Sequence, residues 1–294
     1  VAKLPHGGQF MKASRSLHRC LHTVFFCFLS ATVLFPAVYM IFNSFMLPSE
    51  VTQYYASAMQ YDGTYAMLHF IPDVFSLESF YQVFLRRPDF LVKFWNSLLM
   101  CAGILLFQGI VSTTGGYAFA KFSFPFKQVT FFVLILLMMM PLQATLVPNY
   151  IVLSFLNITD SWLSLILPAA FAPLGTFLMT QIYRGIPNET LDAARLDGAS
   201  TLQILVRILL PIGKSGTISM VLLVFIEAWN MVEQPIVFLK DATQYPLSVF
   251  LVSVNTNNFS LSFVCGLLAM LPVLFLFLFF NDELVEGIEF TGIK

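Results

Sequence analysis

Charge is what this chain has least of. Only 11% of its 294 residues are Asp, Glu, Lys or Arg, against about 25% in soluble domains. So small a charged complement belongs to an integral membrane protein. The formal net charge is −1, and without a basic, aromatic-laced patch a nucleic-acid partner is excluded. Cysteine is scarce as well. Cys20, Cys27, Cys101 and Cys265 share no metal or redox spacing, and isolated cysteines in apolar runs behave as small buried hydrophobes. His6, His18, His22 and His69 also lack metal spacing, and no Ser-His-Asp or paired-carboxylate arrangement stands out. Internal repeats and low-complexity segments are missing too. The expectation is a chain with no catalytic residue, no metal and no enzyme activity of its own.

What the chain has instead is long apolar stretches, 58% of its residues being hydrophobic. A helix needs roughly 20 apolar residues to cross about 30 Å of hydrocarbon, and six segments qualify. They run from about Leu21 to Phe45, Phe94 to Ala120, Val129 to Pro148, Trp162 to Tyr183, Ser215 to Leu239 and Ser262 to Phe280. The fold class read from this is all-α, a polytopic membrane protein with six transmembrane helices. The stretch from Met46 to Lys93 is too polar to cross. The basic segment ahead of the first span is not a good cleavable signal, because the run after it has span length and no small-residue cleavage site follows closely. Met11, followed by Lys12, Arg15 and Arg19, looks like a natural start, which makes residues 1–10 an extension.

Lysine and arginine near span ends set the orientation. With the N-terminus inside, the inner segments hold Lys3, Lys12, Arg15, Arg19, Lys121, Lys127, Arg184, Arg195, Arg207, Lys214 and Lys294, and the outer ones only Arg86, Arg87, Lys93 and Lys240. Both termini are therefore expected in the cytoplasm. Residues 1–20 form a cytoplasmic N-terminal segment and 21–294 the transmembrane domain. Within that domain, 46–93 is extracytoplasmic, 184–214 is a cytoplasmic loop and 281–294 a cytoplasmic tail. Proline and glycine interrupt three spans, at Pro141 and Pro148, at Pro168, Pro173 and Gly175, and at Pro235. Two readings stay open: ordinary kinks, or spans whose freed backbone groups face a wet path.

The segment from Pro187 to Pro211 carries charge of both signs between two very apolar stretches. Pro187 suits a helix start, Asp197-Gly198 a helix stop, and Ser200 with Gln203 a capping box opening a second helix. Pro211 and Gly213 are expected to end it. This polar helical elbow is read as a docking surface.

Its spacing carries a resemblance. Asp192-Ala193-Ala194, three residues, Gly198, nine residues and Ile208-Leu209-Leu210-Pro211 resembles the signature of binding-protein-dependent ABC importer permeases, with Asp192 where that family usually has glutamate. Asn96-Ser97-Leu98 with Gly116-Tyr117-Ala118-Phe119-Ala120-Lys121 is similar to the second span of the maltose-system-like carbohydrate branch. Glu227-Ala228-Trp229-Asn230, Pro235, Tyr245-Pro246-Leu247, Val285-Glu286-Gly287 and Gly292-Ile293-Lys294 resemble its closing third, as in the smaller permease subunit. The resemblance implies a type I ABC importer transmembrane domain in a bacterial inner membrane. It implies as partners a second permease in a heterodimer, two ATPase subunits that bind ATP and Mg, an extracytoplasmic solute-binding protein and a sugar or oligosaccharide. The elbow would then be the coupling-helix loop, with Asp192, Ala193, Ala194, Arg195, Asp197, Gly198 and Pro211 meeting the ATPase. The acidic tail from Asp282 to Lys294 is a second candidate contact.

Carboxylates inside a span are costly and usually face a cavity or partner. Glu227 lies near mid-membrane, beside Trp229 and Asn230, with Glu233 further out. Two readings remain: these four residues line a sugar path, or Glu227 or Asn230 hydrogen-bonds to the sister permease. Gly213-Lys214-Ser215 mimics the end of a phosphate loop, but Ile208 stands where the pattern needs glycine. The Asn-x-Ser/Thr sequons at Asn157, Asn188 and Asn258 are read as chance. Two rivals from other classes are an intramembrane enzyme, which would need a nucleophile or metal set at membrane depth, and an ion-coupled secondary transporter. Such folds usually carry internal repeats.

Overall fold

The computed structural model describes residues 8–60, 69–86 and 88–283. The closing motifs Val285-Glu286-Gly287 and Gly292-Ile293-Lys294, most of the acidic tail, and the start of the chain through Gly7's neighbourhood lie outside the described residues. Among those described, every regular element is helical: α1 (Gly8–Asn43), α2 (Pro48–Gln60), α3 (Glu78–Tyr81), α4 (Asp89–Lys121), α5 (Lys127–Met138), α6 (Leu142–Phe155), α7 (Leu163–Ala170), α8 (Pro173–Arg184), α9 (Asn188–Leu196), α10 (Thr201–Ile204), α11 (Leu210–Ile212), α12 (Lys214–Trp229), α13 (Glu233–Phe238), α14 (Leu247–Asn257) and α15 (Phe259–Phe279). Four stretches are long and apolar enough to cross a membrane: Leu21–Asn43, Asp89–Lys121, Leu163–Arg184 and Phe259–Phe279. With each bent helix pair counted as one span, the number is six.

Three of the expected spans, the third, fourth and fifth, are not single rods. The third is α5 and α6, which meet at 107°. Pro141 makes the break: extended at φ −66° and ψ 143°, it stands just ahead of α6. Pro148 sits inside α6 and does not end it. The fifth stops at Trp229, and α13 restarts at Glu233. A proline ring crowds the carbonyl four residues before it. Breaking the chain at 230–232 puts Pro235 in a first turn, where neither that clash nor its missing N–H matters. In the fourth, the interruption lies at Phe171–Ala172, with Pro173 opening α8, while Pro168 is tolerated inside α7.

The chain forms two compact units, the residues up to Gln82 with Asn258–Leu267, and Val83–Asn257 with the residues from Leu268 on. In the first, Met46, Val51 and Tyr55 make a buried cluster against Tyr39, Tyr54, Phe259 and Phe263. In the second, α4 is the central helix, packing on α7, α8, α12 and α14. Glycine brings α4 and α8 together. A Cβ on Gly116 would stand 2.5 Å from Met179 Cβ and 2.9 Å from that residue's carbonyl carbon, and one on Gly175 would stand 2.2 Å from Ser112 Oγ. Membrane helices gain little by burying apolar surface from equally apolar lipid, so small residues that admit a neighbouring backbone carry the packing.

Polar side chains fasten two loops of this unit. Asn96 Nδ2 donates to the carbonyls of Thr243 (2.8 Å) and Tyr245 (3.1 Å), and Ser97 Oγ accepts from Leu247 N–H at 2.7 Å. The Asn-Ser pair of α4 thus holds the Tyr245-Pro246-Leu247 turn, two sequence landmarks 150 residues apart. Asp160 Oδ1 accepts from the backbone of Lys240 (2.8 Å) and Asp241 (3.1 Å), binding the connection before α7 to the loop after α13.

Candidate functional site

The elbow forms as its local grammar dictates. α9 begins at Asn188, with Pro187 as its extended cap. It ends in a Schellman stop: Ala199 N–H donates to the Ala194 carbonyl and Gly198 N–H to that of Arg195, both at 3.0 Å. Gly198 is left-handed at φ 81°, a conformation open to glycine without a Cβ penalty. A reciprocal capping box opens α10, with Ser200 N–H donating to Gln203 Oε1 at 2.8 Å and Gln203 N–H to Ser200 Oγ at 3.3 Å. Of the two expected stops, Gly213 ends the second elbow helix as its C-cap and Pro211 does not. A π turn over Leu205–Leu209 precedes it, and the helix runs on to Ile212. That widened turn carries the chain past a proline that lacks the N–H for the carbonyl four residues back. At Gly213 the elbow helix bends 85° into α12.

Leu191, Ile204, Leu205 and Leu209 are buried and seat the elbow. Lys121, the last residue of α4, ties it to that helix, its Nζ donating to the Ile186 carbonyl (2.5 Å) and Asn188 Oδ1 (2.9 Å). The opposite face is open. Asp192, Ala193, Arg195, Asp197, Gly198 and Pro211 are exposed and Ala194 half-buried. Asp192 Oδ1 pairs with Arg195 Nη1 at 2.9 Å within the helix. No atom lies within 4 Å of a Cβ built on Gly198. Beside these polar groups Leu196 and Leu202 project at 89% and 67% exposure. Reading by motif missed both; the signal was leucine on a polar helix away from its buried face. Lys214 Nζ stands 3.6 Å from Glu283 Oε1 and Ser219 Oγ donates to the Glu283 carbonyl at 3.0 Å, so the described start of the tail meets α12 just past the elbow.

Above α12 a cavity of about 870 Å³ is walled by parts of α4 to α8, α12 and α13. All three interrupted spans break against it, at Met138 and Met140, at Phe171 and Ala172, and at Asn230, Met231 and Val232. Glu227, Asn230 and Glu233 line it. Glu227 has no polar partner among the described residues, and Glu233 accepts from Gln143 Nε2 at 3.0 and 3.2 Å. Trp229 is not in the lining. It is 4% exposed, its Nε1 donates to the Ala269 carbonyl at 3.1 Å, and it stacks on Phe225. Ala228 and Asn230, its neighbours in sequence, line the cavity and Trp229 does not, since each helical position is turned about 100° from the next. Sequence reasoning missed Gln108, which lines the cavity from α4 with its amide Nε2 buried and unpartnered. A lone glutamine in an apolar span was the available signal.

Residues 109–289 match the family described as binding-protein-dependent transport system inner membrane component. Over 294 residues, 99% of each chain, the sequence is 28% identical to the arabinooligosaccharides transport system permease protein AraQ of Bacillus subtilis (strain 168). It is 32% identical over 158 residues to the sn-glycerol-3-phosphate transport system permease protein UgpE of Yersinia enterocolitica, covering 54% of this chain and 56% of that one. In three dimensions it is similar to a chain of a bacterial ABC transporter involved in the import of the acidic polysaccharide alginate, with a TM-score of 0.76 at 20% identity over 96% of this chain and 99% of that one. This likeness gives the fold, the all-α transmembrane domain of a type I ABC importer. With more than half of the sequence inside the matched family, what the elbow's spacing suggested becomes a conclusion: the chain belongs to the binding-protein-dependent transport system inner membrane components, multi-pass permease subunits that are not themselves catalytic.

Proposed function

We propose that this permease takes up a neutral oligosaccharide through the cavity at the three span breaks. The observation that carries this reading is the polar part of the cavity's lining: two carboxylates, four amides and the Thr145 hydroxyl among apolar side chains, with no lysine, arginine or histidine among the described residues. Such a wall hydrogen-bonds sugar hydroxyls and repels anions, since like charges in a poorly solvated site cost far more than in water. The relatives point to two chemistries. The one matched end to end is named for arabinooligosaccharides, and one matched over about half for glycerol 3-phosphate. The lack of a cation favours the first. Glu227, Asn230, Glu233 and Gln108 are the side chains assigned to the solute.

The working complex in this reading pairs the chain with a second permease, two ATPases that bind ATP and Mg, and an outer solute-binding protein. Both termini and the elbow are cytoplasmic, which the excess of inner lysine and arginine supports. The ATPase receives the exposed elbow face, Asp192 to Gly198 with Leu196 and Leu202 as apolar anchors. Closure of the ATPases moves the elbows, and through Lys121 and the bend at Gly213 the motion reaches α4 and α12. Uptake of labelled solute by the reconstituted complex, competed with neutral arabino-oligosaccharides and with glycerol 3-phosphate, tests it. Competition by the neutral sugars is expected; competition by the phosphate ester alone overturns the substrate assignment.

A further inference from the structure

In the unit that holds α1 and α2, well away in sequence from elbow and cavity, Glu50 on α2 faces His69 and Asp73 from the stretch ahead of α3. One ligand atom from each lies within 4.8 Å of the others. His69 Nε2 stands 3.7 Å from Glu50 Oε1 and 3.4 Å from Asp73 Oδ1. Hydrogen bonds from nitrogen to oxygen close at about 2.7–3.2 Å, so these separations are too long for them. They suit two donors on one ion: ligands about 2.0–2.1 Å from a tetrahedral zinc stand about 3.4 Å apart.

Burial supplies an independent reason. Glu50 is 7% exposed, and both its Oε2 and His69 Nε2 are buried without a hydrogen-bond partner. A buried carboxylate oxygen left unpaired is costly unless a cation answers it. The surroundings also hold the donors in place. The Tyr54 ring stacks on the imidazole, centroids 4.1 Å apart and planes within 5°. Tyr54 hydroxyl donates to Asp73 Oδ2 at 2.9 Å, which leaves Oδ1 facing the histidine. Asp73 N–H donates to Glu50 Oε1 at 2.7 Å. The Tyr55 hydroxyl, 3.0 Å from the His69 carbonyl, fixes the backbone behind the ring. Oriented ligands with their outer oxygen bonded are the usual second layer of a metal site.

We propose that Glu50, His69 and Asp73 bind a divalent transition cation, with zinc as the best fit and water as fourth ligand. The ion would clasp residues 69–73 to α2. The sequence concealed it because the one histidine involved has no ligating neighbour at short spacing, and Glu50 and Asp73 lie 23 residues apart.

The test uses the full chain in detergent, stripped with a chelator and then titrated with zinc chloride, and in parallel with cobalt(II). Wild type is expected to hold one more equivalent of zinc than His69→Ala or Glu50→Gln, and cobalt to give the intense visible bands of four-coordination in wild type alone. Tyr54→Phe should keep the ion and lose about tenfold in affinity. Equal zinc stoichiometry in wild type and both ligand variants overturns the proposal. Should either variant misfold, X-ray absorption of the wild-type zinc form decides: one imidazole with oxygen ligands supports the site, and sulfur or several imidazoles overturns it. A wild-type chain that takes up no zinc also overturns it.

Discussion

The elbow and the cavity wall belong to the same unit and were assembled in opposite ways. Each bond that shapes the elbow's stop and cap joins residues five or fewer apart, from the Ala199–Ala194 bond to the Ser200–Gln203 box. The cavity gathers its lining from Ile104 to Phe238, its polar residues spread over α4, α6, α12, α13 and the break between the last two. Outside that last stretch only Thr145 and Asn149 stand at helical spacing. Local hydrogen bonding is written in short patterns that propensity and capping rules decode. A surface made by packing depends on which helix face meets which, and that is decided by contacts such as Gly116 on Met179. One region could be drawn from the sequence in outline. The other could only be suspected, from a carboxylate in an apolar run.

The largest test of that contrast strikes what both regions hang from. Gly116→Leu would drive a side chain into the backbone of Met179 and Thr180, which a Cβ alone would reach at 2.9 and 3.0 Å. Overpacking costs about 1–3 kcal/mol and more where backbone must move, and here α4 and α8 must part. We expect little or no monodisperse protein after extraction. Gly109→Leu, with nothing within 4 Å of its Cβ position, should extract like wild type. Equal yields of the two would mean that the glycine seam does not hold elbow and cavity together.

Next in size is the elbow's open face. Leu196 touches little within the chain at 89% exposure, so Leu196→Glu should leave yield and helicity unchanged. If that face docks an ATPase, a buried anchor is replaced by a charge. Solute-dependent ATP hydrolysis by the assembled complex should fall about tenfold or more. Unaltered hydrolysis would reduce the elbow to a connector, and would leave the cavity as the only functional region of the pair.

A smaller effect is expected at the cavity, where several groups share the solute. Glu227→Gln and Gln108→Leu should each weaken half-saturation for uptake about fivefold, the loss of roughly one hydrogen bond. Trp229→Phe, behind the wall, should lower thermal stability and leave half-saturation where it was. Unchanged uptake in both lining variants would mean that the solute passes against the sister chain. That comparison also states what was legible beforehand. Glu227 and Glu233 were found from charge and depth in the span, and Trp229 and Asn230 were grouped with them as neighbours. Adjacency on a helix turns the side chain by about 100°, enough to carry Trp229 to Ala269 and out of the lining. Gln108 was passed over because its place on the wall depends on the α4–α8 approach, which is a matter of packing and not of pattern. The third and fifth spans were legible as apolar runs, whereas their bends, 107° at Pro141 in the third, came from where prolines fall relative to the break.

The smallest test separates local order from global stability. Ser200→Ala removes the side chain that accepts from Gln203 N–H at 3.3 Å and leaves the exposed face of α9 unaltered. Loss of a serine cap costs about 1 kcal/mol. If the elbow is shaped by its own short-range bonds, that cost falls on the elbow alone. Amide exchange at Gln203 and Ile204 should then speed up about fivefold, while the melting temperature and exchange in α4 and α8 stay at wild-type values. The cavity is a poorer subject for this experiment. Asn230 is bonded locally, its Nδ2 donating to the Ile226 carbonyl at 2.9 Å, but the wall as a whole is gathered from helices far apart in sequence. A Ser200→Ala chain that loosens α4 together with the elbow would show that Lys121, bonded to Ile186 and Asn188, couples the two more tightly than their separate construction implies.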